Sequence, residues 1–157
     1  MTGRAPPRPI VVVVEDEDVV RESLATILRF EGYDVFSHAS GTSLIRSLSL
    51  NPRPSAVVLD LTLRDMSGVQ CLRAIRSSTW GEVPVLVFSA WGHLERFGID
   101  AQHYLLKGRD IESVVRAIDR LVERSRTRGT PSSPRARKAP PAPKNVVSSS
   151  SSRRRRP

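Results

Sequence analysis

Five short apolar runs, separated by longer polar segments, constrain the fold of this chain more than any other feature. The runs are Ile10–Val14, Tyr33–Phe36, Ala56–Leu59, Val85–Phe88 and Tyr104–Leu106. Several of them are continuous and rich in β-branched residues, which is typical of strands covered on both faces of a sheet. Strands of this kind that alternate with helices form a parallel sheet with right-handed crossovers, so we expect a single α/β layer structure.

The segments that follow the runs carry apolar residues at helical spacing. The clearest stripe follows the last run, and its members are Ile111, Val114, Val115, Ile118, Leu121 and Val122. The weakest is the fourth predicted helix, Trp91–Gly98, where only Leu94 and Phe97 are suitably spaced and apolar. The pattern therefore predicts five helices, one after each strand.

Positive charge is concentrated at the two ends of the chain. The 157 residues suffice for one domain and carry a formal net charge of +9. Residues 125–157 hold ten Lys and Arg and no acid, whereas residues 10–124 hold thirteen basic and sixteen acidic residues, a net charge of −3. We predict a disordered arm at 1–9, a folded domain at 10–124, and a disordered basic tail rich in Pro, Ser and Arg at 125–157.

The same counts exclude several classes of protein. A single cysteine, Cys71, forms no internal disulfide, which argues against a disulfide-stapled secreted domain. No apolar run approaches the ~18 residues that a membrane span requires. The first nine residues lack the apolar core of a signal peptide. We therefore expect a cytoplasmic protein that does not enter a membrane.

Charged and hydroxyl side chains follow four of the five predicted strands. Glu15 and Asp16 follow the first, Asp60 the third, Ser89 ends the fourth and Lys107 follows the fifth. In a parallel sheet these groups share one edge, and sites lie outside that edge. Clustered carboxylates need a compensating cation, and a few hard oxygen ligands suit Mg²⁺. The pattern predicts a Mg²⁺-assisted phosphoryl-transfer site in which the central aspartate is the acceptor.

Each of these residues, taken alone, also has an ordinary structural explanation. Glu17 and Asp18, like the acids before them, lie where negative charge stabilises a helix N-terminus. Asp60 resembles a turn aspartate, and Lys107 an ordinary solvated lysine. What favours a functional site is that all of these groups fall at the strand ends of one sheet.

These residues resemble the receiver domain of bacterial two-component response regulators over 10–124. The resemblance rests on Glu15-Asp16-Glu17-Asp18, on Asp60 with Gly68 eight residues later, on Ser89-Ala90, and on Tyr104-Leu-Leu-Lys107. It implies a flavodoxin-like (βα)5 three-layer sandwich with a parallel sheet of order 2-1-3-4-5.

The resemblance also implies roles for individual residues. Asp60 matches the phosphorylated aspartate, Asp16 and Asp60 the direct Mg²⁺ ligands, and Glu15 the acid that acts through water. Thr62 matches the position whose backbone carbonyl ligates the metal. The implied phosphoryl donor is a histidine kinase or a histidine phosphotransfer protein.

Three further positions match the parts of a receiver that respond to phosphorylation. Ser89 corresponds to the switch hydroxyl, Lys107 to the essential lysine and Tyr104 to the aromatic that turns inward on activation. Such a protein signals to an output partner, which the sequence does not name, and at most catalyses its own phosphorylation and dephosphorylation.

The sequence departs from the family pattern in four places. Arg64 stands where a proline is usual and leaves a cation near the site, and Gly108 replaces a proline that usually follows a cis peptide bond. Gln102-His103 replace a commoner acidic pair. The 18-residue interval from Ser89 to Lys107 is short, which predicts the loss of about one turn of the fourth helix.

The basic tail leaves a second interpretation open. No segment after residue 124 has the core of an output domain, so we expect a stand-alone receiver. In the second interpretation, the many cations of the tail bind the phosphate backbone of nucleic acid without sequence preference. The tail has no aromatic residue that could stack on bases. The alternative function is therefore a scaffold that acts without phosphorylation, or a binding module tethered to nucleic acid.

Overall fold

The computed structural model of the chain describes residues 7–90, 103–108 and 110–128. Within these ranges the strands are β1 (Ile10–Val14), β2 (Asp34–His38), β3 (Ala56–Leu59), β4 (Val85–Ser89) and β5 (His103–Leu106). The helices are α1 (Asp18–Phe30), α2 (Gly41–Ser47), α3 (Gly68–Arg76) and α4 (Ile111–Arg128). All five predicted strands are confirmed, and the predicted helix at Trp91–Gly98 lies outside the described residues.

The five strands form one sheet in which every neighbouring pair is parallel. Their order is β2-β1-β3-β4-β5, so the first strand in the sequence lies inside the sheet between the second and the third. This arrangement confirms the predicted flavodoxin-like fold. It also brings the carboxyl ends of all five strands to one edge.

Successive residues of the central strands point into two different cores. Val12 and Val14 pack in one cluster with residues of α2 and α3, whereas Val11 and Val13 pack in the other with residues of α1 and α4. Both faces of the sheet are therefore covered by helices, which makes the three layers. This double burial is why β1 is an unbroken run of apolar residues rather than an alternating one.

The ends of two helices bear on the sequence predictions. A reciprocal capping box between Ser67 and Gln70 starts α3. Helix α4 continues to Arg128, about one turn beyond residue 124, where the sequence analysis places the end of the domain. The continuation has a physical reason, because basic residues such as Arg124 and Arg126 are favourable at a helix C-terminus. Among the helices of the described ranges, none has the length and apolar character to cross a membrane.

Candidate functional site

Two central strands end side by side and define the middle of the candidate site. Val14 of β1 pairs with Leu59 of β3, and the Asp60 N–H donates to the Val14 carbonyl at 3.0 Å. Glu15, the residue directly after β1, donates its own N–H to the carbonyl of His38 at 3.0 Å. The backbone thus fixes Glu15 and Asp60 at one position along the sheet edge, as the strand pattern predicts.

Three carboxylates converge there, and we call Glu15, Asp16 and Asp60 the acidic cluster. One oxygen from each lies within 4.8 Å of the others. Glu15 and Asp60 are each only 1% exposed, while Asp16 is partly exposed. Buried carboxylates this close repel one another unless a cation compensates them, so the cluster requires a positive partner.

Lys107, which directly follows the edge strand β5, is that positive partner. Its Nζ lies 2.8 Å from Asp60 Oδ2, and 2.9 Å and 2.7 Å from the two carboxylate oxygens of Glu15. The Lys107 N–H donates to the Ser89 carbonyl at 2.9 Å, which holds the residue after β5 against the end of β4. The predicted convergence of the lysine with the acids is confirmed.

Gly108 accommodates this arrangement without the proline that is usual in the family. Every peptide bond of the described residues is trans, that between Lys107 and Gly108 included. Gly108 has a φ of +94°, a conformation that residues with a Cβ rarely adopt. A left-handed glycine thus turns the chain after β5 while the lysine still reaches the acids.

Burial and charge shift the pKa values of this group. Burial raises the pKa of Glu15, and the negative charge of Asp60 raises it further, although the hydrogen bond with Lys107 opposes both. Burial by itself lowers the pKa of Lys107, but its hydrogen bonds to Asp60 and Glu15 outweigh this and leave the pKa raised. The lysine is therefore held in its charged form between the two acids.

The loop after β3 holds Asp60 from its other side. The Thr62 N–H donates to Asp60 Oδ1 at 3.0 Å, and the Thr62 hydroxyl lies 2.9 Å and 3.1 Å from the two carboxylate oxygens. Gly68 closes this loop, because a Cβ there would lie 2.4 Å from the Asp60 carbonyl oxygen and 2.5 Å from Leu61 Cα. This close approach explains why a glycine stands eight residues after the aspartate.

Two arginines complete the surroundings of the cluster. Arg64 lies beside Asp16: its Nε is 3.1 Å from Asp16 Oδ2, and its backbone N–H donates to the same oxygen at 3.2 Å. Arg21 donates to the Glu15 carbonyl at 2.9 Å and pairs with Asp18. The sequence indicated a cation near the site at Arg64 but gave no role to Arg21, whose one signal is its i,i+3 spacing from Asp18.

The two remaining predicted residues lie on the outer strands. Ser89 ends β4 and is fully buried, with its carbonyl bonded to Lys107. Tyr104 lies on β5 opposite Val87 and is 38% exposed. It lines a shallow cavity of about 220 Å³ between β5 and α4. Of the predicted set, Tyr104 and Thr62 are the residues that lie exposed at the protein surface.

The donor atoms of the cluster fit a hard divalent cation. All three side chains offer carboxylate oxygens, one from each within 4.8 Å of the others, and Mg²⁺ prefers oxygen ligands and few protein carboxylates. Two of the acids are almost fully buried, which leaves strong negative charge for a cation to offset. The donor set therefore fits the ion, while the ligand roles of Glu15, Asp16, Asp60 and the Thr62 carbonyl stay predictions.

An all-parallel sheet of this order, with a lysine-bridged acidic cluster at its carboxyl edge, defines a receiver-type domain. The chain matches the response regulator receiver domain family over residues 11–119 and belongs to that family. Such domains serve two-component signalling rather than metabolic catalysis, and Mg²⁺ binding and aspartate phosphorylation are typical of them.

Individual relatives agree with this assignment. The probable transcriptional regulatory protein TcrX of Mycobacterium tuberculosis is 37% identical over 127 residues, which are 78% of this chain and 53% of TcrX. The chain thus spans about half the length of that relative.

Solved structures show the same fold. A receiver domain protein from Methanospirillum hungatei has a TM-score of 0.71 at 20% identity and covers 78% of this chain and all of its own. The receiver domain of the sensor histidine kinase PA1611 from Pseudomonas aeruginosa has a TM-score of 0.68 at 25% identity, with 74% of this chain and 99% of that chain covered. That structure holds a magnesium ion coordinated in its active-site cleft.

Proposed function

We propose that this chain accepts a phosphoryl group on Asp60 in a Mg²⁺-dependent reaction, from a histidine kinase or a histidine phosphotransfer protein. The observation that carries the proposal is the position of the Lys107 Nζ, within 3 Å of both Glu15 and Asp60. An ammonium group in that place is set to meet the negative oxygens of an incoming phosphoryl group.

The transfer exchanges one bond to phosphorus for another. A carboxylate oxygen of Asp60 attacks the phosphorus, the bond to the donor histidine nitrogen breaks, and the imidazole leaves with the electron pair of that bond. Lys107 neutralises the phosphoryl oxygens, and the Thr62 N–H and hydroxyl orient the Asp60 carboxylate. When bound, Mg²⁺ would be held by Asp16, Asp60, the Thr62 carbonyl and, through water, Glu15, and it would further neutralise the phosphoryl charge.

Phosphorylation then acts through a local change of charge. A phosphoryl group on Asp60 adds about two negative charges beside Lys107, whose backbone is bonded to the Ser89 carbonyl. We infer that the Ser89 hydroxyl moves toward the phosphoryl group, that Tyr104 turns inward, and that the surface of β5 and α4 transmits the change to an output protein. In this proposal the protein catalyses only its own phosphorylation and dephosphorylation. We further propose that it acts in the bacterial cytoplasm.

An intact-mass measurement tests the acceptor. The protein is incubated with a small acyl-phosphate donor, with Mg²⁺ or with a chelator. We expect an adduct of about 80 Da, one phosphoryl group, only when Mg²⁺ is present. Asp60→Asn should abolish it, whereas Asp34→Asn, an exposed aspartate at the start of β2, should not. An adduct that survives Asp60→Asn, or none under any condition, would contradict the proposal.

A second candidate function is nucleic-acid binding by the basic C-terminal segment. The charge distribution favours it, since residues 125–157 hold ten cations and no acid. Binding to duplex DNA should weaken steeply and log-linearly with salt, and replacing Arg153–Arg156 by glutamines should reduce the slope. If binding is insensitive to salt, or unchanged in that variant, this candidate fails.

A further inference from the structure

We propose that Arg64 is a tethered counter-ion of Asp16 that competes with Mg²⁺, so that this one residue sets how tightly the site binds metal. The inference rests on the Mg²⁺ site of the proposed function. It concerns a residue that the family pattern does not supply, because a proline is usual at this position. Arg64 acts here as a positioning residue on a metal ligand.

The geometry directs two donors of Arg64 onto a single oxygen. Its backbone N–H and its Nε lie 3.2 Å and 3.1 Å from Asp16 Oδ2. The loop from Asp60 to Gly68 delivers both donors, and the contacts of Thr62 with Asp60 and the close packing of Gly68 against Leu61 hold that loop. The guanidinium is therefore kept next to the metal ligand by the chain itself.

Arg64 and Lys107 divide the acidic cluster between them. Lys107 contacts Glu15 and Asp60, and Arg64 contacts Asp16, so each acid has a cationic neighbour without any metal. An ion that binds Asp16 must share that carboxylate with the guanidinium or displace it. Since Mg²⁺ lies about 2 Å from its ligand oxygens, the two cations would be only a few ångströms apart.

Displacement of Arg64 is feasible because its side chain is 82% exposed. The Asp16 side chain is only 13% exposed, but it keeps the backbone N–H of Arg64 as a donor, and the guanidinium itself is open to solvent and screened by salt. The guanidinium can therefore leave at small cost. Its repulsion of a divalent ion is stronger than its repulsion of a monovalent one at the same distance. Removing the charge should therefore tighten Mg²⁺ binding by about three- to tenfold at low salt.

An NMR titration with Mg²⁺ at constant ionic strength tests this without any phosphorylation. The Thr62 amide is a suitable probe, because it donates to Asp60. We expect Arg64→Ala and the longer neutral variant Arg64→Gln to bind Mg²⁺ about three- to tenfold more tightly than the natural chain. Arg64→Lys, which restores the charge, should return to within about twofold of it.

Arg53 provides the matched control. It is exposed and lies before β3, at the opposite end of that strand from Asp60, so Arg53→Ala removes the same charge at a distance. Its Mg²⁺ affinity should change less than twofold, and the advantage of Arg64→Ala should shrink as salt rises. Equal affinities for Arg64→Ala and the natural chain, or weaker binding by the variant, overturn the inference. If the natural chain itself binds no Mg²⁺, the proposed function fails and not this inference alone.

Discussion

The acidic cluster has a lysine side and an arginine side, and the two differ in burial although both pair a cation with acids. Lys107 comes from the end of β5, is 19% exposed and bridges two buried acids. Arg64 comes from the loop next to Asp60, is 82% exposed and pairs with a single acid. Buried ion pairs are costly to break, whereas exposed pairs exchange readily. The comparison indicates that Lys107 holds the site together and Arg64 adjusts it.

The largest effect is expected on the lysine side. Lys107→Met keeps most of the side-chain volume but leaves Glu15 and Asp60 buried without a cation. Its free energy of unfolding, measured by urea denaturation in a chelator at neutral pH, should fall by about 2–4 kcal/mol. Arg64→Ala should cost less than about 1 kcal/mol in the same assay. Similar losses in both variants would break the comparison.

The loop that carries Arg64 depends on Gly68. A substitution at Gly68 should therefore cause the second-largest loss in the free energy of unfolding. Gly68→Ala places a Cβ within 2.5 Å of backbone atoms of Asp60 and Leu61, and the loop must shift. We expect a loss of about 2–3 kcal/mol and a changed Thr62 amide signal. In Gly108→Ala, on the lysine side, the added Cβ has no atom within 4 Å. This variant should lose only the free energy of its backbone strain, about 1–2 kcal/mol. A reversed order of the two losses would contradict this reading.

The raised pKa of Glu15 predicts a pH dependence on the lysine side. A carboxyl whose pKa rises on folding binds its proton more tightly in the folded state. Its contribution to stability is therefore complete below its ordinary value of 4.5 and declines as the pH rises toward the folded value. Without Mg²⁺, the stability of Glu15→Gln relative to the natural chain should increase with pH across that window and then level off.

Asp60 gives a control for that pH profile. Its charge is one cause of the raised pKa of Glu15, so the same pair of proteins in an Asp60→Asn background should show a shallower increase. A relative stability that is independent of pH, or that declines as the pH rises, would show that burial does not raise the pKa of Glu15.

The smallest effect on stability is expected at Ser89, where the change should affect signalling. In Ser89→Ala, the rate of Asp60 phosphorylation should stay within about threefold of that of the natural chain, because the Ser89 group that contacts Lys107 is its backbone carbonyl. The substitution should, however, abolish the shift of the Tyr104 ring signals when beryllofluoride and Mg²⁺ are added. Ser37→Ala, in β2 at the other edge of the sheet, should keep that shift. If both variants retain it, Ser89 does not relay the change.

The sequence predicted correctly those features that depend only on where the strands begin and end along the chain. Buried strand runs determine the sheet, and the ends of parallel strands then bring Glu15, Asp16, Asp60 and Lys107 together. It was less able to predict contacts that depend on loop shape. The approach of Gly68 to Leu61 and the seating of Arg64 on Asp16 arise from the path of one loop. The extension of α4 to Arg128 was also not apparent from the sequence, because the charged residues after Val122 carry no apolar stripe although they continue the helix.

The most direct test of the central claim is to locate the phosphoryl group in the chain. Borohydride converts an aspartyl phosphate to homoserine, and trypsin then releases a peptide from Ser47 to Arg64 whose only acidic residue is Asp60. After treatment with an acyl-phosphate donor and Mg²⁺, we predict homoserine at position 60 and none when a chelator replaces Mg²⁺. An unmodified Ser47–Arg64 peptide, with homoserine elsewhere or nowhere, would contradict the assignment of Asp60 as the acceptor.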